Sequence, residues 1–214
     1  MTARPIVVVV DYGAGNLVSI EQALMTAGAE VRIAGAATDL APADALVVPG
    51  VGAAAPAMAR LQHQGLVQPI TDWLAADRPF LGICLGLQLL FEASDEDGAM
   101  TLGTLPGRTV RLREAPTLPH VGWNQVERSR PHAIFDGIDD GADFYFVHSY
   151  VGAPPGATAD DSEADLVLAR TTHGQPFVSA VSRGALVGVQ FHPERSGTDG
   201  LRLLGNFVDL VRAA

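Results

Sequence analysis

The single cysteine of the 214-residue sequence lies in a segment that favours a nucleophile. Cys84 is the centre of Gly-Ile-Cys-Leu-Gly, residues 82–86, where an apolar segment predicted as a buried strand meets a predicted helix. A nucleophile on such a tight turn projects from the sheet and requires small neighbours. The N–H groups and partial positive charge of the helix start favour a thiolate and a developing oxyanion. The alternative is a packed structural cysteine, a common fate of free thiols.

A second segment offers the base that a cysteine nucleophile needs. His192-Pro193-Glu194 follows the last predicted strand. Because residues two apart in extended backbone point the same way, Glu194 can approach one nitrogen of His192 while the other faces Cys84. Pro193 stiffens the spacer by fixing φ. The alternative is a surface His–Glu pair, but a base with an orienting acceptor is what the cysteine requires, so we predict a Cys–His–Glu triad.

A glycine-rich segment, Pro49-Gly50-Val51-Gly52, ends the third predicted strand. It therefore lies at the carboxyl edge of the sheet, where open α/β sheets bind their ligands. The two glycines allow the backbone to approach a ligand closely or to turn an N–H inward. The alternative is an ordinary strand-to-helix turn.

The first half of the chain alternates strand-like and helix-like segments, which predicts a doubly wound, mostly parallel α/β sheet. Ile6-Val10 is a continuous β-branched run, as expected of a strand buried on both faces. The predicted strands are 6–10, 31–33, 45–48 and 79–84, and the predicted helices are 16–27, 54–61, 67–76 and 85–91.

The second half predicts short strands that form antiparallel extensions of the same sheet, followed by a helix over 201–211. Acidic loops are predicted at 92–98 and 160–165. We find no repeat or linker that would divide the chain, so we expect one domain over 1–214. The predicted strands are 109–112, 123–126, 144–147, 166–171, 177–181 and 186–191.

The composition restricts the classes of function. Hydrophobic residues make up 48% and charged residues 18%, which argues against disorder. The formal net charge of -10 argues against a nucleic-acid partner. No apolar run reaches the roughly 18 residues of a membrane span, and the N-terminus lacks a signal-peptide pattern. One cysteine cannot form an internal disulfide, so a cytoplasmic protein is expected.

Together these segments resemble the class I glutamine amidotransferases, whose triad is Cys, His and Glu. Within that class the flanking motifs are similar to those of the glutaminase subunits of imidazole glycerol phosphate synthases. The motifs occur in family order and span essentially the whole chain. They are residues 11–16 (DYGAGN), 49–52 (PGVG), 82–88 (GICLGLQ), 105–108 (LPGR), 119–124 (PHVGWN), 146–150 (FVHSY) and 190–197 (QFHPERSG).

The resemblance implies the class I glutamine amidotransferase-like (flavodoxin-like) fold and hydrolysis of L-glutamine to glutamate and ammonia. It assigns catalysis to Cys84, His192 and Glu194. The oxyanion would be held by N–H groups of Leu85 and of the Gly50-Val51-Gly52 segment, whose Val51 peptide has to rotate first. For Glu96 the alternative is simple solvation, since its whole loop is acidic. The implied glutamine-binding residues are Gly50, Gly52, Gln88, Glu96, His148, Ser149 and Tyr150.

The resemblance also implies a partner, a (β/α)8-barrel cyclase subunit that receives the ammonia and makes imidazole glycerol phosphate and an aminoimidazole ribotide. It implies no metal, nucleotide or flavin. For Trp123 the alternative is a core or sheet-face aromatic, and for 144–146 we expect a packed strand. The implied partner-facing residues lie within 11–16 and at Asn16, Trp123, Asn124 and Arg195.

Two positions depart from the family pattern. The segment after Gly52 continues as Ala-Ala-Ala-Pro, residues 53–56, where relatives often have a larger side chain, so looser packing above the oxyanion segment is expected. Arg195 stands where lysine is common, and its planar guanidinium can pair bidentately with an acidic partner residue.

Two other functions stay open at this point. The first is the glutaminase of another synthase, such as anthranilate or pyridoxal phosphate synthase, and residues 11–13 and 120–124 argue against it. The second is a catalytically silent regulatory module on the same fold, which the intact triad disfavours.

Overall fold

A nine-stranded mixed sheet forms the centre of the protein in the computed structural model, which describes residues 3–155 and 165–214. The strand order is β2-β1-β3-β4-β12-β11-β10-β7-β8. Pairing is parallel from β2 to β12 and antiparallel from β12 to β8. The predicted α/β sheet, parallel first and antiparallel later, is therefore confirmed. Residues 160–164 of the second predicted acidic loop lie outside the described residues.

The elements of the first half follow the sequence prediction closely. The Asn16 side chain accepts a hydrogen bond from the Ser19 N–H and so caps the first helix. The predicted helix over 85–91 is shorter than expected and ends at Gln88. The elements are β1 Ile6–Val10, α1 Leu17–Thr26, β2 Glu30–Ala34, β3 Ala45–Gly50, α2 Ala54–His63, α3 Val67–Ala75, β4 Phe80–Cys84 and α4 Leu85–Gln88.

The second half differs from the prediction in two respects. The last strand was predicted as an antiparallel extension, and β12 does pair antiparallel with β11. It also pairs parallel with β4, which was not predicted, because the hairpin from β11 returns the chain to the centre of the sheet. This error matters, since parallel pairing brings the end of that strand to the edge where Cys84 lies. The elements are β5 Ala93–Ser94, β6 Arg108–Arg111, β7 His120–Arg128, β8 Ala142–His148, β9 Tyr150–Ala153, β10 Val167–His173, β11 Gln175–Arg183, β12 Leu186–Val189 and α5 Gly197–Ala213.

A separate three-stranded sheet, β5-β6-β9, is the second correction. The prediction placed 109–112 in the main sheet, but β6 pairs with β9, which the sequence analysis did not predict. Gly152 of β9 allows this sheet to pack closely on Phe91, because a Cβ at Gly152 would overlap the Phe91 ring. The small sheet thus covers the segment that follows α4.

The core has two layers, one on each face of the sheet. In β1, Val7 and Val9 face one layer and Val8 and Val10 face the other, and all four are fully buried. Burying a valine contributes about 1.5–3 kcal/mol, so a strand buried on both faces is a strong anchor. Helices α1 and α5 cover the first layer and α2 and α3 the second. None of the helices in the described ranges has the length and hydropathy needed to cross a bilayer.

Candidate active site

Cys84 occupies a strained turn between β4 and α4. Its φ of 53° and ψ of -105° lie in a region that costs a non-glycine residue on the order of 1–3 kcal/mol. The neighbouring glycines make the turn possible. A Cβ at Gly82 would come within 2.8 Å of the Gly86 backbone, and a Cβ at Gly86 would overlap the Val48 carbonyl. The elbow therefore holds the thiol at the carboxyl edge of the sheet.

His192 and Glu194 form a buried pair just beyond β12. The Nδ1 atom of His192 lies 2.8 Å from Oε1 of Glu194, and the two side chains are 6% and 4% exposed. The alternative of a surface pair is therefore excluded. The predicted extended spacing is only half right, because Glu194 lies in a 3-10 turn over Pro193–Arg195. The backbone N–H of His192 donates to the Tyr145 carbonyl at 2.8 Å, which fixes the backbone of His192 against β8.

The surroundings of His192 favour its charged form. Burial alone would lower the pKa of His192, but the adjacent Cys84 sulfur and Glu194 carboxylate outweigh burial and raise it to about 10. Two atoms of the pair are buried without a hydrogen-bond partner among residues 3–155 and 165–214, Nε2 of His192 and Oε2 of Glu194. Nε2 is thus the one ring nitrogen left to exchange a proton with a substrate.

The glycine segment lies directly beside the elbow. In the pairing of β3 with β4, Gly50 is the partner of Cys84, and a Cβ at Gly50 would be 3.1 Å from Cβ of Leu85. Val51 is half exposed, and Gly52 has a φ of 99° that a side chain rarely adopts. The two segments implied to supply oxyanion donors are therefore adjacent to each other and to Cys84.

Tyr12 packs under this segment. Its hydroxyl donates to the Pro49 carbonyl at 2.9 Å, and burial raises the pKa of Tyr12 well above its ordinary value, so the hydroxyl remains a donor. A Cβ at Gly50 would overlap this hydroxyl. Glycine at position 50 is therefore required by the close approach of Tyr12.

A polar cavity of about 210 Å³ opens over Cys84. Its size and polarity suit a small amide-bearing amino acid rather than a large apolar ligand. Burial, and secondarily Asp97, raises the pKa of Glu96 at its rim. Of the residues implied to bind glutamine, Gly50 does not line the cavity. The lining residues are Gly52, Ala53, Cys84, Gln88, Glu96, Pro119, Val147, His148, Ser149 and Tyr150.

Comparisons with known proteins decide the family. A family model described as glutamine amidotransferase class-I matches residues 8–210. The chain belongs to the class I glutamine amidotransferase family. It is 47% identical to "Imidazole glycerol phosphate synthase subunit HisH" of Moorella thermoacetica, over 99% of this chain and 97% of the relative. It is 48% identical to the protein of the same description in Mycobacterium bovis, over 98% and 99%.

Solved structures agree on the fold of this amidotransferase. The structure of PurLQS from Thermotoga maritima matches with a TM-score of 0.74 at 18% identity, over 97% of this chain and 99% of that one. A crystal structure described as glutamine amidotransferase matches with a TM-score of 0.72 at 21% identity, over 96% of this chain and 98% of that one. At these identities the likeness shows the fold alone.

Three histidines of this amidotransferase cluster beside the cavity, and their tautomers can be deduced. The Tyr150 carbonyl only accepts, so Nδ1 of His148 donates to it at 3.1 Å. Nε2 of His148 then accepts from Nδ1 of His120 at 3.1 Å, and Nε2 of His120 accepts from the Asn124 amide at 3.2 Å. His173 stacks on His120 with ring centroids 4.0 Å apart. His148 is therefore held neutral by a directional chain.

Burial keeps the His120 and His148 rings of this histidine cluster uncharged near neutral pH. Within the described ranges no three His, Cys, Asp or Glu side chains are arranged to hold an ion. Burial, followed by the charge of His120, lowers the pKa of His148 to about 3. Burial, followed by His173, lowers that of His120 to about 4.

The residues implied to face a partner differ in whether their side chains are exposed or are already bound within the chain. Trp123 is 57% exposed, so it is not a core aromatic, and its ring meets Tyr145 edge to face at 6.3 Å. The Arg195 guanidinium lies 4.1 Å from the centroid of the same Tyr145 ring. The expected packed strand over 144–146 has buried phenylalanines on both sides of this tyrosine. Asn124 instead turns inward, since its amide donates to the Thr172 carbonyl at 2.9 Å.

One polar residue beside Cys84 was not among the predicted site residues. Gln190 is fully buried, and its Nε2 lies 3.5 Å from the Cys84 sulfur. On the other side, the sulfur is 4.0 Å from the Val147 carbonyl. The spacing contained a signal, because Gln190 precedes His192 by two positions and residues two apart share a face in extended backbone.

Proposed function

We propose that this chain is the glutaminase subunit of an imidazole glycerol phosphate synthase and hydrolyses L-glutamine at Cys84. The observation that carries the proposal is the juxtaposition of a thiol on a strained elbow with a buried His192–Glu194 pair whose free ring nitrogen has no other partner among the described residues. A polar cavity over the thiol accommodates a small substrate. The HisH relatives match over nearly their whole length, which supports the choice of synthase.

In the proposed mechanism, the Cys84 thiolate attacks the side-chain amide carbon of glutamine and forms a tetrahedral oxyanion. As the intermediate collapses, Nε2 of the His192 imidazolium gives its proton to the departing nitrogen, and ammonia leaves. The resulting γ-glutamyl thioester is hydrolysed by a water that neutral His192 deprotonates. Glu194 keeps Nδ1 protonated and stabilises the charged ring in both halves of the reaction.

The oxyanion would be held by the Leu85 N–H and by an N–H of the Gly50-Val51-Gly52 segment. Both segments lie beside Cys84, which supports this assignment. Removal of one such donor typically costs about 2.7–4 kcal/mol of transition-state stabilisation. Rotation of a single peptide at Val51 is therefore sufficient to switch the rate by orders of magnitude.

The ammonia would pass to a (β/α)8-barrel cyclase subunit that covers the face carrying the exposed Trp123, the stacked Arg195 and residues 11–16. An exposed tryptophan is a common interface anchor, and here Trp123 and Arg195 both contact the Tyr145 ring. Asn124 would act indirectly, since its amide is already bound within the chain.

The test uses the full chain together with the ribotide substrate and the cyclase subunit. Cys84→Ala is expected to abolish synthesis from glutamine and to leave synthesis from added ammonia intact, because only the thiol chemistry is removed. Equal loss of both activities would refute this division of labour. Wild-type chain assayed alone is expected to turn over glutamine slowly, and full activity without the cyclase would contradict the gating by the Val51 peptide.

A further inference from the structure

The side chain of Gln190 links the nucleophile to the glutamine cavity. Its Nε2 donates towards the Cys84 sulfur at 3.5 Å, and its Oε1 accepts from Nε2 of Gln88 at 3.1 Å. Gln190 has no exposed surface and Gln88 is 6% exposed. A buried amide is costly unless both of its ends are paired, so this arrangement is specific rather than incidental.

The orientation of both amides can be deduced from a backbone group. Nε2 of Gln88 lies 2.8 Å from the Tyr150 carbonyl, which can only accept, so this end of Gln88 must be the donor. The same nitrogen therefore donates to Gln190, whose facing atom must be oxygen. It follows that the opposite end of Gln190, the NH₂ group, points at the sulfur of Cys84.

We propose that Gln190 is a second, neutral hydrogen-bond donor to the Cys84 thiolate and, through its oxygen, the residue that positions Gln88 for glutamine. The proposal rests on the proposed role of Cys84 as nucleophile and adds a residue to that machinery. Gln190 contacts the reacting atom itself, whereas its effect on the substrate passes through Gln88.

The chemistry of the sulfur requires such a donor. An N–H favours the charged form of its acceptor, and the Val147 carbonyl at 4.0 Å on the other side favours the thiol instead. The Gln190 contact is the shorter of the two. His192 gives its proton away during catalysis, whereas the amide of Gln190 retains its protons and can stabilise the thiolate again when it leaves the thioester.

Two substitutions separate the two roles of Gln190. Gln190→Met removes both the donor and the acceptor at similar length. Gln190→Glu keeps an oxygen for Gln88 but places a carboxylate beside the sulfur. Ser179→Ala is the matched control, because Ser179 is fully buried on the adjacent strand β11 and its hydroxyl has no partner among the described residues.

The first measurement is the rate of Cys84 alkylation by iodoacetamide against pH, on the full-length chain alone. Both Gln190 variants are expected to shift the midpoint of the profile upward by about one pH unit or more and to slow alkylation at pH 7 about tenfold. Ser179→Ala is expected to follow the wild type. Wild-type midpoints in both variants would overturn the donor role.

The second measurement is steady-state glutamine turnover with the ribotide and the cyclase subunit present. Gln190→Met should raise KM and lower kcat, whereas Gln190→Glu should lower kcat with KM close to wild type, because Gln88 stays in place. An unchanged KM in Gln190→Met would overturn the positioning role. If Cys84 of the wild type is not alkylated at all, the nucleophile assignment itself fails, and the two failures are thereby distinguished.

Discussion

His192, beside Cys84, and His148, which lines the cavity, are buried to nearly the same degree, 5% and 6% exposed, yet their pKa values shift in opposite directions. The pKa of His192 is raised to about 10 and that of His148 is lowered to about 3. At neutral pH one ring is therefore a cation able to donate a proton, and the other is neutral with a fixed tautomer.

Their partners explain the difference. His192 faces a sulfur and a carboxylate, both of which favour the imidazolium, and these outweigh the cost of burial. His148 faces His120 and a backbone carbonyl, and no carboxylate among its described neighbours offsets its burial. Burial lowers the pKa of both rings, and only neighbouring groups that favour the imidazolium reverse that shift. The neighbouring groups therefore decide which histidine can perform acid–base chemistry.

The largest expected effect comes from replacing each ring by a neutral amide. His192→Gln should lower kcat for glutamine by about 10⁴-fold or more, because the proton donor and base is lost. His148→Gln should cost at most about tenfold, because glutamine can reproduce a neutral N–H donor and an acceptor. Steady-state assays of both variants with the cyclase subunit measure the difference. Similar losses in the two variants would show that the two histidines do not have different roles.

A smaller but still large effect is expected from Glu194→Gln. The buried carboxylate holds Nδ1 of His192 at 2.8 Å and supports its charge, so its loss should lower kcat by about 10²–10⁴-fold. The pKa of His192 should also fall, so the alkaline limb of the rate profile should move to lower pH. A pH–rate profile checks both outcomes, and a loss of rate with an unmoved limb would limit Glu194 to an orienting role.

The two histidine environments differ in how far the sequence predicted them. Cys84, His192 and Glu194 were recognisable because nucleophile, base and carboxylate stand at strand ends, where an α/β sheet brings distant residues together. The parallel pairing of β12 with β4 could not be predicted in this way, because the two strands are about a hundred residues apart and local sequence pattern does not encode strand order.

The remaining site residues depend on long-range pairing even more strongly. His120 meets His148 only because the β7–β8 register pairs them directly. A histidine in a strand has no chemical signature until that register is known. Gln190 carries a signal in its two-residue spacing from His192, but a glutamine beside a strand is also ordinary. Residue types thus pointed to the candidate reacting groups, whereas the groups that surround them became apparent only from the fold.

The histidine cluster should make the protein sensitive to acid. An unfolded histidine binds a proton below pH 6.5, whereas folded His148 does so only near pH 3 and His120 near pH 4. Between the unfolded pKa of 6.5 and these lower folded pKa values, the unfolded state binds more protons than the folded state. The free energy of unfolding should therefore fall as the pH is lowered through this range. The slope is at most about 1.4 kcal/mol per pH unit for each histidine.

Urea unfolding at several pH values between 7 and 4.5 measures this slope. His148→Gln should flatten it, because the amide does not titrate. His63→Gln, on the exposed surface of α2 and outside the histidine cluster, is the matched control substitution. If His148→Gln has the same slope as the wild type, the acid sensitivity arises elsewhere and His148 is not the neutral partner in the comparison.

The smallest expected effect concerns the support of the proposed oxyanion segment at the end of β3. Tyr12→Phe removes a buried hydrogen bond to Pro49, so the free energy of unfolding should fall by about 0.5–1.5 kcal/mol. Gly50→Ala should be more damaging in the wild type, because its methyl group would overlap the Tyr12 hydroxyl. Chemical denaturation of both single variants measures these losses.

The double variant decides whether Tyr12 acts through this contact. In Tyr12→Phe the hydroxyl is gone, so Gly50→Ala should cost less than in the wild type, with a coupling energy of roughly 1–2 kcal/mol. Contacts of the new methyl with Leu85 remain at 3.1 Å, so some cost persists. Strict additivity of the two substitutions would mean that the segment beside Cys84 is held by its strand pairing alone. Only the region around His148 would then depend on a chain of side-chain hydrogen bonds.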